Sequence, residues 1–403
     1  MTRDYDVMVA GHLCLDIIPR FPDMGVVRFD AIFTPGKLVL MAGVATSTGG
    51  PVSNTGIAMR RLGNRVSFSA RVGDDDFGKL TVDALKRHGC AEGVHAVEGA
   101  TSSYTIAIAP PGIDRIFLHD PGTNNSYGAD DLDPAMIAEC RHFHFGYPPL
   151  MRRMYSERGE ELERIFRVAK EAGATTSCDM ALPDPQSESG KAPWGEILAR
   201  VLPYIDIFLP SVEESLYMLE PERFLHMKKE HKGDDLIDHL SARDFSGLAD
   251  RLLSLGAKIT ALKSGHRGWY IKTGGKDGFA SMGAARPGDS ENWANRELWC
   301  PAYRVERIAS ATGSGDSSIA GFLTAFLRGE PIETALKYAV CLGWQNVQVL
   351  DAVSGIRPLD EATQFIARTE PFIDPGITSA EWTWRRTHQL WSGPGDRLRS
   401  AGY

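Results

Sequence analysis

The sequence has no C-x-x-C pair, and its six cysteines (Cys14, Cys90, Cys140, Cys178, Cys300 and Cys341) are scattered through 403 residues. Such spacing builds neither a disulfide framework nor a zinc site, and it suits reduced thiols in the cytoplasm. No apolar run approaches the roughly 20 residues that span a bilayer. The first of them, Val7 to Ala10, is soon interrupted by His12 and Asp16. Positive charge is also in short supply. With 44 Lys and Arg against 52 Asp and Glu the formal charge is −8, a poor match for a bulk polyanion, although a local basic pocket remains open to the chain. Internal repeats and low-complexity tracts are lacking too. Neither a nucleic acid nor a membrane is therefore an expected partner. What the chain has in quantity is core material: 43% hydrophobic residues is enough for one large α/β domain or two smaller ones.

One stretch stands out as an organising feature, Ser310-Ala311-Thr312-Gly313-Ser314-Gly315-Asp316. Before it, Tyr303 to Ile308 alternates apolar with polar residues as a strand does. After it, Ile319, Phe322, Leu323, Phe326 and Leu327 form one stripe of a helix that Gly329 can end. Gly313, Ser314 and Gly315 then lie in a strand-to-helix turn whose N–H groups and helix dipole suit a phosphate. Asp316 would repel that phosphate unless it has a task of its own, and general base for an attacking alcohol is such a task. Two other readings stay open at this point: a glycine turn with an N-terminal capping acid, and the start of a G-x-G-x-x dinucleotide pattern.

In chain order, Val7 to Gly11 reads as a buried first strand, and Asp16 follows inside an apolar run, either bonded to backbone N–H groups or placed to hold substrate hydroxyls. Gly49-Gly50-Pro51-Val52-Ser53-Asn54 opens a helix that ends at Gly63. Its glycines admit a ligand close to the backbone, and Asn54 can cap the helix or face outward. Asp74, Asp75 and Asp76 suit a helix N-terminus or, alternatively, a metal. Tyr104 to Ala109 and Ile116 to Leu118 read as a hairpin turned at Pro110-Pro111-Gly112. Cys140, His142 and His144 share one strand face, as half-buried strand residues or as metal ligands. Strands at Thr175 to Asp179 and Ile205 to Leu209 alternate with helices, which argues a doubly wound, mostly parallel sheet. Glu214 opens a helix after the second of them, residues 221 to 245 read as a surface excursion, Lys263 lies before a glycine turn, and 274 to 300 reads as a long loop. The tail from Pro371 carries Trp382, Trp384 and Trp391 among arginines; it reads as an arm packed on its own domain or a sister subunit, with nucleic-acid stacking as the alternative.

Taken in order, these motifs resemble the ribokinase-type, or PfkB, carbohydrate kinases, from about residue 5 to about residue 368. Gly49 to Asn54 is similar to the diglycine signature with its substrate-contacting asparagine. Thr312 to Asp316 resembles the T-G-A-G-D anion hole and base, and Gly73 to Gly78 resembles the G-D-D-x-F-G turn. Four departures accompany the match: Ser310-Ala311 stands for Asp-Thr, Ser314 for Ala, Ser211 for the Asn of an N-x-x-E motif ending at Glu214, and Lys263 for a frequent Thr of the nucleotide-binding turn, where Gly265 and Gly268 match.

The resemblance implies a ribokinase-like α/β fold over residues 1–370, with a small β lid from about 17–48 and 101–120 and a C-terminal extension over 371–403. It implies ATP and Mg2+ and a sugar or sugar-like acceptor. Asp316 would be the general base and Gly313, Ser314 and Gly315 the anion hole. Asp16, Gly49, Gly50 and Asn54 would hold the substrate, Lys263, Ser264, Gly265, Gly268 and Thr312 the nucleotide, and Glu214 the metal. A homodimer joined through the lid is expected. A nucleoside kinase of the same family, and a non-catalytic sugar-binding regulator on the same fold, are the alternatives.

Overall fold

The computed structural model describes residues 3–23, 25, 29–110, 116–368 and 371–400; Pro111 and Gly112 of the expected hairpin turn, and parts of the expected lid, lie outside them. The strands are β1 (Tyr5–Gly11), β2 (Cys14–Pro19), β3 (Val44–Gly49), β4 (Val66–Gly73), β5 (Val94–Val97), β6 (Tyr104–Ile108), β7 (Ile116–Asp120) and β8 (Cys140–Gly146). They continue with β9 (Thr175–Asp179), β10 (Ile207–Phe208), β11 (Ile259–Lys263), β12 (Trp269–Thr273), β13 (Glu297–Cys300), β14 (Thr383–Arg385) and β15 (Leu390–Ser392).

Eleven of these form one sheet in the order β14-β15-β13-β12-β11-β10-β9-β8-β1-β4-β5. Pairing is parallel from β5 to β11 and antiparallel beyond. The alternation along β1 shows why both faces are covered. Val7 and Val9 enter one apolar core with the helices Pro51–Arg61, Ser314–Leu327 and Ile332–Asn346. Met8 and Ala10 enter a second core with the helices Glu160–Glu171 and Ala242–Ser254. A strand buried on both sides is what a doubly wound sheet requires.

Four short strands stand apart in the order β3-β2-β6-β7. Across them Asp16, Ser47, Thr105 and His119 are directly opposite one another, so they share one face of the small sheet.

Three local readings differ from the structure. Tyr303 makes only an isolated bridge, to Phe372, and Ile308 is 66% exposed, so the segment before the glycine turn is not a strand. The sheet position is already taken by β13, which pairs with β12 and β15. Residues 274 to 300 are not a long loop, because Trp293, Leu298 and Trp299 are buried in the core and pull two short helices and β13 into place. Residues 221 to 245 likewise bury Phe224, Leu236, Leu240 and Phe245. The tail ends in β15 and β14, which extend the main sheet, with Trp382 packed against Tyr270 and Trp299. No helix among the described residues is long and apolar enough to cross a membrane.

Candidate active site

The parallel strands of the main sheet end at a common edge. There β1 hands over to His12, β8 to Tyr147, β9 ends in Asp179 and β11 in Lys263. From β1 the chain order runs outward through β4 and β5, and from β8 outward through β9 to β11. Such a reversal opens a crevice at the strands' carboxyl ends, where α/β proteins bind ligands.

Gly313 takes a left-handed conformation, φ 74°, and N-caps the helix Ser314–Leu327. A Cβ there would come within 2.4 Å of the Ala352 Cβ, so both backbone shape and packing call for glycine. In the first turn the Ser314 N–H donates to the Ala311 carbonyl at 3.2 Å. The N–H groups of Gly315 and Asp316, next in line, lack an intrahelical acceptor as first-turn groups do, and they supply a positive cradle. Thr312 donates its N–H to Ser310 Oγ at 3.1 Å, and its carbonyl accepts from Asn346 Nδ2 at 3.2 Å.

Asp316 is buried at the base of this turn and held from three sides. Asn54 Nδ2 donates to Oδ2 at 2.9 Å, the Tyr147 O–H to the same oxygen at 3.0 Å, and the Thr55 hydroxyl to Oδ1 at 3.3 Å. Asn54 thus faces the Asp316 carboxylate and does not cap its own helix, whose N-cap is Gly50 with no side-chain bond. Burial raises the Asp316 pKa, while the bonds from Asn54 and Tyr147 and the charge of Lys263 pull it back down. A helix N-terminus alone would have kept it low; desolvation overrides that here.

Lys263 lies against the same turn, its Cδ 3.6 Å from where a Cβ on Gly315 would sit. The ammonium bonds the Asp179 carboxylate and donates to the Leu209 carbonyl at 2.8 Å. Burial works against its charge, but Asp179, Glu214 and Asp316 outweigh burial and hold its pKa above the usual lysine value. Burial pushes Asp179 the other way, toward the neutral acid, with Lys263 opposing. One ammonium among three carboxyls is the group that stays charged. Ser264, Gly265 and Gly268 form the turn after β11, with the Ser264 hydroxyl donating to the Gly268 carbonyl at 2.8 Å.

Asp16 lies on β2 of the small sheet, against the diglycine: a Cβ on Gly49 would fall 2.5 Å from its Oδ1. The Cys14 thiol reaches that carboxylate at 3.5 Å. Burial, with Asp316 adding to it against the Cys14 and Thr105 contacts, lifts the Asp16 pKa to about 6. Glu214 closes a reciprocal cap: Ser211 N–H donates to Oε2 at 2.6 Å, and Glu214 N–H donates to Ser211 Oγ at 3.1 Å. No partner for its Oε1 is found among the described residues, and its charge is felt by Lys263 and Asp179.

The structure therefore gathers Asp316, Gly313 to Gly315, Asn54 and Lys263 at one crevice, with Asp16 and Glu214 close enough to act electrostatically on its charged groups. Asp75 is occupied elsewhere as a helix cap, accepting from Gly78 N–H at 2.8 Å and the Ser102 hydroxyl at 2.6 Å. His142 and His144 both bond Ser177 Oγ, at 2.6 and 2.8 Å. Tyr147, Thr55 and Asp179 escaped the sequence reading. Tyr147 stands between Gly146 and Pro148 in no periodic pattern, and its only advance signal is a bulky residue at the end of a buried strand.

Comparison with known proteins points one way. The model of the pfkB family carbohydrate kinases matches residues 6–357. A probable fructokinase-3 of Arabidopsis thaliana is 31% identical over 182 residues, 44% of this chain and 48% of that protein. A probable fructokinase-4 of the same plant is 28% identical over 257 residues, 62% of this chain and 70% of that protein. The chain thus spans about half to two thirds of the length of these curated relatives. Among solved structures, Arabidopsis thaliana ribokinase complexed with ribose and ATP superposes at a TM-score of 0.65 and 17% identity, covering 91% of this chain and 99% of that one. A putative ribokinase II of E. coli in complex with ATP and Mg2+ gives 0.64 and 19%, covering 91% and 100%. At such identities the structural likeness establishes the fold.

Proposed function

From a chain that belongs to the pfkB family of carbohydrate kinases, we propose an ATP-dependent phosphotransferase acting on a hydroxyl of a sugar or sugar-like alcohol. The observation that carries this reading is the buried Asp316 carboxylate beside a first-turn N–H cradle, with Lys263 against the same turn. An acceptor hydroxyl lying between Asp316 and a phosphoryl group in the cradle loses its proton to the carboxylate as its oxygen attacks phosphorus. The O–P bond to the departing ADP breaks in the same displacement, and the cradle and Lys263 balance the charge that develops. Asp16 and Asn54, flanking the diglycine, hold and orient the acceptor. The lid sheet carrying Asp16 excludes water from the transfer.

The donor set fits a hydrated Mg2+ beside the phosphates: Glu214 presents a carboxylate already fixed by its own cap, and Mg2+ is bound through one or two carboxylates plus substrate phosphates. When bound, the ion would offset phosphate charge. A second copy of the chain joined through the lid belongs to the same reading, supported by the exposed lid residues Val44, 62% exposed, and Leu118, 51% exposed. A reducing cytoplasm suits the six free, buried cysteines.

ADP release from ATP across a panel of sugars and nucleosides tests the activity. Asp316→Asn should lower kcat by ~10²–10⁴-fold with sugar and ATP binding nearly intact. Turnover of Asp316→Asn near the parental rate would sink the mechanism, and no ADP release with any acceptor would favour a binding-only regulator.

A further inference from the structure

Tyr147 has two features that a structural role does not require together. Its backbone is left-handed, φ 62° and ψ 47°, in a bulky non-glycine residue, a conformation that persists only where the surroundings enforce it. Here they do. Its N–H donates to the Asp179 carbonyl at 3.3 Å, its carbonyl accepts from Leu150 N–H at 3.0 Å, and the following Pro148 disfavours the ordinary helical alternative. The second feature is what this turn accomplishes: the phenol reaches across the crevice and donates to Asp316 Oδ2 at 3.0 Å, while its ring lies 6.0 Å from that of His12.

An ionised carboxylate offers about two acceptor positions on each oxygen. On Asp316, Oδ2 is filled by Asn54 and Tyr147, whereas among the described residues Oδ1 carries only the longer Thr55 contact. We propose that Tyr147 is a positioning residue for the base: with Asn54 it saturates Oδ2, and so assigns Oδ1 as the oxygen that takes the acceptor's proton. The inference rests on the kinase reading above and adds to it which carboxylate oxygen works and what holds the other. It has a second consequence. A donor to a carboxylate favours the charged form, so the phenol helps keep a buried base ionised near neutral pH, against the desolvation that raises its pKa. The other titratable groups facing Asp316 are Lys263, Asp179 and Asp16, with Asp179 and Glu214 also facing the Tyr147 phenol, and the substitution Tyr147→Phe keeps all of them in the chain.

The test is the pH profile of kcat at saturating sugar and ATP, which removes the effect of Asp16 titration on sugar affinity. Tyr147→Phe should move the acid limb up by about 1 to 2 pH units, the worth of one hydrogen bond to a charged group. Both KM values should stay within about threefold, and kcat should recover toward the parental value above the shifted limb. In case the variant folds poorly, 3-fluorotyrosine placed at position 147 alone supplies a stronger donor and should move the limb down. An unmoved limb in either protein, or a kcat loss constant across pH, overturns the proposal. Those outcomes differ from failure of the kinase reading, in which Asp316→Asn itself would turn over normally.

Discussion

Replacing Asp16 by Asn should make the protein more stable and a worse enzyme, with the balance set by pH. The carboxyl is largely buried between β2 and the diglycine, and its pKa is lifted from 3.8 to about 6. A rise of about two units corresponds to roughly 3 kcal/mol of folding free energy lost once the group ionises. The sign follows from linkage: the folded pKa exceeds the unfolded one, so the cost is absent below about pH 4, grows between about 4 and 6, and is full above that. Asparagine keeps the shape and an acceptor for the Cys14 thiol and removes the repulsion from Asp316, but its amide N–H must find an acceptor of its own. A net gain of about 1–3 kcal/mol at pH 8 is expected, about 1–4 °C in Tm for a chain of this size. Thermal unfolding of both proteins from pH 4 to pH 8 measures it, and the difference should close at the acid end. In the same variant the sugar KM should rise roughly 10- to 100-fold, the worth of a hydrogen bond to a charged group. An Asp16→Asn protein less stable than its parent at pH 8, or a stability difference independent of pH, would refute the burial argument.

Glu214→Gln should raise the Mg2+ concentration needed for half-maximal rate severalfold while leaving sugar affinity within about twofold; an unchanged Mg2+ requirement removes Glu214 from the site. Val44→Asp combined with Leu118→Asp, two apolar lid residues in exposed positions, should convert a dimer to monomer in sedimentation velocity. A parent that sediments as a monomer refutes the lid interface.

The glycine turn, the diglycine and Asp16 were legible because their chemistry is local: a few adjacent small residues at the junction of two periodic segments. Long-range partners were not. Tyr147 meets Asp316 across 169 residues and Lys263 meets Asp179 across 84; the first meeting brings the end of β8 to a helix N-terminus, the second brings the ends of β9 and β11 to one edge of the sheet. Strand order had to be known first. The misread segment before the glycine turn teaches the converse. Tyr303 to Ile308 has strand alternation, but alternation makes a strand only where a sheet neighbour is free to pair, and the place beside β12 is taken by β13, followed by β15 and then β14. The strands β14 and β15 have three residues each, too short for any period to show. What holds them is the packing of indoles on β12 and β13.

The departures from the family pattern bear on whether catalysis survives, and the structure gives Ser310, Ser211 and Ala311 a physical reading. Ser310 places its hydroxyl on the Thr312 N–H at 3.1 Å, so a short polar side chain steadies the approach to Gly313 from inside the turn. Ser211 is among the best N-cap residues and here completes the reciprocal cap with Glu214. An asparagine in its place would cap the same N–H, so the exchange keeps Glu214 on the first turn of its helix, beside the strand end that carries Lys263. Ala311 contributes its carbonyl, which accepts from both the N–H and the hydroxyl of Ser314, a backbone role that side-chain replacement does not touch. Ser310 and Ala311 therefore conserve the backbone that leads into Gly315 and Asp316, and Ser211 conserves the first turn of the helix that carries Glu214. A chain drifting toward binding without turnover would have no reason to keep Asp316 buried and triply hydrogen-bonded at a cost in desolvation. That desolvation cost is a physical argument for the proposal that Asp316 serves as the base.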